Sequence, residues 1–198
     1  MEREKVNIHE VNKQEKVANS IGYGLYKIKD TNKAPFGQTI SENIEMLRDH
    51  EYLTGADKAF LFDIEPLIEM HSNILVNKST GEFMTVSDIA RCLDKSVPHT
   101  SKIVNRLINK GVLFEMTNVQ EIKQFGRSIT KRPIFMNPEI MFKGNRNEIN
   151  ASLARLTMNL DPFEKQKIHL PWKVWMPLHA QSGKLYRRKT YVKYKKEN

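Results

Sequence analysis

Between Thr85 and Gly111 the chain spells two short helices whose apolar seams must meet, and no other stretch constrains the fold as tightly. Thr85 is a natural N-cap with an acid, Asp88, three residues on, a variant of the capping box. Ile89 and Leu93 are four apart and share one face, and Ala90 is small where a second helix would cross closely. Asp94-Lys95 breaks the pattern. Ser96 then caps a second helix, with Pro98 in its first turn, where a missing N–H costs little. Thr100, Ile103, Val104 and Leu107 fall at i, i+3, i+4 and i+7 and predict its buried face. The helix runs to about Asn109, and Gly111 is its left-handed stop.

The opposite face carries Ser96, Pro98, His99, Ser101, Lys102, Asn105 and Arg106, with no acid among them. A helix that enters the major groove needs such a face, its first turn toward base edges and its flanks toward phosphate. A hairpin follows. Val112–Met116 reads as a strand, Thr117–Thr130 as a polar loop, and Lys131–Met136 as the returning strand. Lys123, Arg127, Lys131 and Arg132 make this wing basic, suited to the backbone or minor groove beside the reading helix.

These residues resemble known groups. Ile89-Ala90-x-x-Leu93, the helix after it, and Leu107-Ile108-Asn109-Lys110-Gly111-Val112-Leu113 resemble the winged helix of MarR-type regulators, in gapless register from Ala90 to Gly111. Phe135-Met136-Asn137-Pro138-Glu139-Ile140-Met141-Phe142-Lys143-Gly144 is similar to the Asn-Pro…Gly segment of the RepL family of plasmid and phage replication proteins. The likeness covers roughly residues 60–145. It departs from the pattern at Asp94, where Gly is frequent, and at Lys95, where an apolar residue is usual. The resemblance implies a mainly α fold with a small β-wing, a winged helix-turn-helix, that binds double-stranded DNA. Three functions stay open: a replication-origin binder of RepL type, a promoter-binding regulator of MarR type, and a winged-helix adaptor for protein or RNA.

The 198-residue chain divides by composition into a polar arm (1–40), the winged helix-turn-helix (41–145), and a C-terminal helix with a basic tail (146–198). In the first part residues 1–20 read as frayed, Ile21–Ile28 as a strand and Thr31–Gly37 as a loop. Thr39 or Ser41 can cap a helix through Ile44, Met46 and Leu47. A second helical pattern covers Asp57–His71, interrupted by Pro66, and Ile74-Leu75-Val76 is β-like. Asn150–Leu160 reads as a helix, with Asp161-Pro162 as its break.

A net charge of +9 favours a polyanionic partner, nucleic acid or an anionic membrane surface. From Ser182 onward Lys184, Arg187, Arg188, Lys189, Lys193, Lys195 and Lys196 face one acid, Glu197, which is +6 of that total. Their irregular order predicts a tail that adds affinity for phosphate without sequence information. Nothing resembles a membrane span or a signal peptide, so a cytoplasmic protein without a membrane partner is expected. No cofactor, metal or catalytic set is expected. Gly22-Tyr23-Gly24 lacks the Gly-Lys-Ser/Thr of a phosphate loop, and Glu65, Glu69 and His71 are the nearest approach to a metal cluster. The single cysteine, Cys92, reads as a small buried apolar residue. One reading helix covers few base pairs, so a homodimer is expected, with Leu153, Leu156, Trp172 and Trp175 as candidate interface material, although packing within the chain is the favoured reading for both tryptophans; a host or phage protein partner is a further open possibility.

Overall fold

The computed structural model describes residues 8–20, 36–116 and 132–197, and the chain divides into two units, Met1–Pro35 and Phe36–Asn198. In the first unit Ile8–Ser20 is a helix, α1, where the sequence suggested a frayed end. Helix formers such as Gln14, Glu15, Lys16 and Ala18 account for it, and the Ser20 hydroxyl donates to the Val17 carbonyl at 2.7 Å. The strand expected over Ile21–Ile28 lies outside the described residues.

The second unit is α-rich with small antiparallel sheets. Its first strand, β1 (Gln38–Thr39), leads into α2 (Ser41–Asp49). Neither Thr39 nor Ser41 caps that helix: Thr39 pairs in β1 with Met141, and Ile40 takes the cap position without a side-chain bond. Helix α3 (Gly55–Ile64) starts two residues before Asp57, because Thr54 and Asp57 close a reciprocal capping box. Pro66 ends it in a 3-10 turn, Glu65–Leu67, so Met70 lies off its apolar face and is exposed. Ile74 and Val76 form isolated antiparallel bridges to Phe135 and Phe83.

The pair read between Thr85 and Gly111 forms α4 (Val86–Cys92) and α5 (Val97–Asn109). Thr85 and Asp88 make the capping box, and Thr100, Ile103, Val104 and Leu107 are buried. The two departures in the turn have physical answers. Asp94 takes φ 51°, the left-handed conformation that favours Gly and that Asp tolerates. The Lys95 ammonium reaches 3.0 Å from the Asp63 carboxylate on α3 instead of entering a core.

After α5, β2 (Leu113–Glu115) and β3 (Ile134–Met136) pair antiparallel with Phe114 opposite Phe135. Strand alternation sends Leu113, Ile134 and Met136 into one core, with Leu47, Phe60, Ile64, Ile89 and Leu107. Phe114 and Phe135 enter a second core, with Ile149, Leu153, Val174 and Leu185. The hairpin base is therefore buried on both faces. Strand β4 (Met141–Phe142) pairs with β1, and β5 (Ile149–Asn150) leads into α6 (Ala151–Leu160), whose first N–H groups bond the Asn150 side chain. Asp161, at φ 33°, turns the chain into α7 (Pro162–Lys165).

The remaining chain corrects the reading of an irregular tail. Strands β6 (Trp172–Trp175) and β7 (Ser182–Arg187) form an antiparallel pair, with β5 on the other edge of β7, and α8 (Arg188–Glu197) follows directly. The partners of β7 lie at 149–150 and 172–175, so no local pattern announces it.

Gly111 is held at φ +70°, and a Cβ there would come within 2.1 Å of Pro162 Cγ. Gly111→Ala should therefore lower unfolding free energy by about 2–4 kcal/mol, combining left-handed strain with overpacking. Chemical denaturation followed by circular dichroism measures this; a loss below half a kcal/mol would contradict the packing described.

Candidate nucleic-acid interface

The solvent face of α5 is set by what its other face buries. With Thr100, Ile103, Val104 and Leu107 inside, His99, Lys102 and Asn105 are exposed and Ser101 is half-buried. Ser96 sits at the N-cap, exposed, without bonding the helix through its side chain, and Pro98 is exposed in the first turn. The Asn105 amide lies 3.4 Å from the Ser101 hydroxyl, one turn back. Apart from Pro98, these residues present donors and mixed donor/acceptors to solvent.

Arg106 does not belong to that surface. Its Nε donates to Asp57 Oδ1 at 2.7 Å, and its side chain is 33% exposed. The Lys110 ammonium takes the other Asp57 oxygen at 3.0 Å. Asp57 is wholly buried on α3 and also accepts from the Thr54 N–H. Burial alone would raise its carboxyl; the Thr54 N–H, Arg106 and Lys110 outweigh it and lower the group to about 2. Arg106, expected on the solvent face, thus ties α5 to α3. The Thr54-x-x-Asp57 box repeats the Thr85-x-x-Asp88 pattern and was legible as a cap, but its ionic partners lie some fifty residues on.

On the hairpin, Arg132 is exposed, and its guanidinium lies 3.4 Å from Glu115 across the strands. Lys123, Arg127 and Lys131 lie outside the described residues.

The Asn-Pro segment has an architectural task. The Asn137 amide donates to the Gly111 carbonyl at 2.8 Å, while its oxygen accepts from the Glu139 N–H. Glu139 is buried, accepting from the Val174 N–H at 2.9 Å and from the Lys173 ammonium at 3.0 Å. Lys173, only 1% exposed, also reaches Asp161 at 2.7 Å. The Tyr191 hydroxyl donates to Asp161 at 3.0 Å, and the Lys195 ammonium lies 3.3 Å from it. Burial would lower the Lys173 ammonium, but the charges of Glu139 and Asp161 overcome it and hold the group above its ordinary value. Burial pushes the Tyr191 phenol up, and the Asp161 charge adds to it. Sequence reasoning missed this cluster; a lysine between two tryptophans in an apolar run was its visible sign.

Three of the tail cations named from the sequence are ion-paired within the chain. Arg187 pairs with Glu42 on α2 and covers the Trp172 ring at 4.4 Å. Arg188 pairs with Glu164 on α7, and Lys195 with Asp161. Lys184, Lys189, Lys193 and Lys196 are exposed. Leu153 is buried, Leu156, Trp172 and Trp175 are half-buried, and all but Trp175 belong to the second core; Trp175 packs edge-on against Tyr191.

Glu65 pairs with Lys143 at 3.0 Å, and Glu69 takes the Ser72 hydroxyl, so both carboxylates are engaged within the chain. Among the described residues no group of three or more His, Cys, Asp or Glu is placed to hold a metal ion, and no helix is long and apolar enough to cross a membrane. Cys92 is exposed, which corrects its reading as a buried residue: it lies in the last turn of α4, away from the Ile89–Ala90 seam.

Comparison with known proteins adds one relative. The chain is 27% identical over 162 residues to an uncharacterized 23.6 kDa protein of Bacillus thuringiensis, covering 78% of each chain. No protein-family profile matches the sequence, and no solved structure matches it.

The Asp57 clamp predicts a pH dependence. A carboxyl lowered to about 2 stabilises the fold fully above its ordinary value of 3.8, and that contribution disappears as pH falls through 3.8 toward 2. Asp57→Asn should cost about 1–3 kcal/mol at neutral pH. The gap between the two proteins should close over that acid window. Urea midpoints measured from pH 7 to pH 2.5 test this, and a gap independent of pH would refute the ionic account.

Proposed function

We propose that this chain is a sequence-specific double-stranded DNA-binding protein whose reader is a winged helix-turn-helix, with α4 and α5 as the helix pair and β2–β3 as the base of the wing. The observation that carries the reading is the acid-free solvent face of α5, His99, Ser101, Lys102 and Asn105, backed by a fully buried apolar seam. Bidentate Asn and extended Lys side chains suit purine edges in the major groove, and the exposed Ser96 and Pro98 turn suits a phosphate. The likeness of the Asn137–Gly144 segment to RepL proteins favours a plasmid or phage replication origin as the target. The MarR-like register of the helix pair favours a promoter as the second reading. A protein or RNA adaptor would show no salt-dependent affinity for duplex DNA.

Selection from a random duplex pool should return a defined site. Lys102→Ala and Asn105→Ala should each weaken binding to it by about 1–3 kcal/mol and relax the preference at one or two base pairs. Arg106→Ala should act chiefly on stability. Enrichment of no sequence, or variants that keep both affinity and preference, would overturn the reading. Support of plasmid replication by a cloned origin fragment separates the origin from the promoter.

The same reading calls for a two-fold dimer on paired half-sites about one helical turn apart. Sedimentation of the protein free and on its selected site should give two chains per duplex; a single chain in both states would refute it.

A further inference from the structure

Positive charge is distributed very unequally along this chain. Residues 146–198 hold twelve Lys and Arg against four acids, +8 of the net +9, so the first 145 residues, including the reading pair, are nearly neutral at +1. A protein that reads DNA with a nearly neutral module needs its counterion-releasing charge elsewhere.

Five of these cations lie on α8, on two sides of the helix. On the inner side of α8, Arg188, Tyr191 and Lys195 recur at i, i+3 and i+7 and are tied to Glu164 and Asp161. On the outer side, Lys189, Lys193 and Lys196 recur at i, i+4 and i+7, all exposed. The Tyr191 ring packs edge-on against Trp175, and Tyr194 against Tyr186, fixing the helix's rotation on the β6–β7 pair. The outward lysines therefore stand in one row about ten ångströms long, given 1.5 Å per residue, a span matching about three successive phosphates of one strand at about 3.4 Å of duplex axis each.

We propose that this outer face of α8 is a second DNA contact: Lys189, Lys193 and Lys196 grip the phosphate backbone and supply affinity without sequence information. The proposal rests on the DNA-binding reading above and assigns it a division of labour, α5 for sequence and α8 for affinity. Deleting the C-terminus is a poor test, since it would remove β7 and the partners of Asp161. The triple variant K189Q/K193Q/K196Q leaves the inner face intact, and Gln preserves helix propensity.

The experiment measures affinity of the full chain for a selected duplex and for a random one between 50 and 300 mM salt. In the triple variant the log–log salt slope should flatten by about 2–3 units, at about 0.9 per lost contact. Affinity for both duplexes should fall by similar factors of ten or more at low salt, with site preference and thermal unfolding unchanged. An unchanged slope beside retained site preference overturns the α8 contact and leaves the reading helix standing. A steep slope that the variant flattens, in a protein with no preferred site, upholds α8 and overturns sequence-specific reading. Loss of binding to phosphatidylserine vesicles in the variant, with no affinity of either protein for DNA, overturns both and assigns the row to a membrane surface.

Discussion

The buried ammonium of Lys173 is the point on which the larger unit turns. One cation, removed from water, satisfies Glu139 in the turn after β3 and Asp161 between α6 and α7. It also lies 5.5 Å from the centre of the Tyr191 ring on α8. Desolvating an ammonium costs several kcal/mol, and only well-placed carboxylates return it. The arrangement is therefore conditional: each of three distant segments is correctly placed only when the others are. Asn43 adds a neutral counterpart, its amide bonding the carbonyls of Glu139 and Trp172 and its oxygen accepting from the Trp172 N–H. Through these two side chains the helical half and the C-terminal sheet fold as partners.

The β2–β3 hairpin supplies the apolar counterpart. Because its residues alternate between two cores, it cannot tilt toward one without opening a gap in the other. Helix α5 is constrained in turn by the seam against α4, by Arg106 and Lys110 on Asp57, and by the Gly111 turn against Pro162. The side chains that α5 presents to solvent are thus carried on a helix whose rotation is determined from three directions. For a surface proposed to meet base edges, such preorganisation matters more than the number of charges it carries.

Much of this was legible where the determinants are local. Capping boxes, the 3.6-residue repeat from Thr100 to Leu107, the proline after α3 and the glycine after α5 all act within a few residues, and the elements they specify are present. The misreadings share a cause. Arg106 looked outward because a helical wheel knows nothing of a carboxylate buried on another helix. Thr39 looked like a cap until a strand about a hundred residues on, at Met141, paired with its backbone. The C-terminus looked irregular because its strand is defined by its neighbours in space. Lys189, Lys193 and Lys196 had the helical period all along, hidden among Lys184 and three cations that pair with Glu42, Glu164 and Asp161.

One quiet feature of α4 has a practical side. Cys92 is the chain's sole thiol, and it is exposed at the end of α4, just ahead of the turn into the proposed reader. A maleimide dye or spin label would attach there and nowhere else, without any cysteine being added or removed. The chain thus carries a built-in reporter position a few residues from α5, where fluorescence or electron–electron distance measurements could follow approach of a ligand or of a second labelled copy.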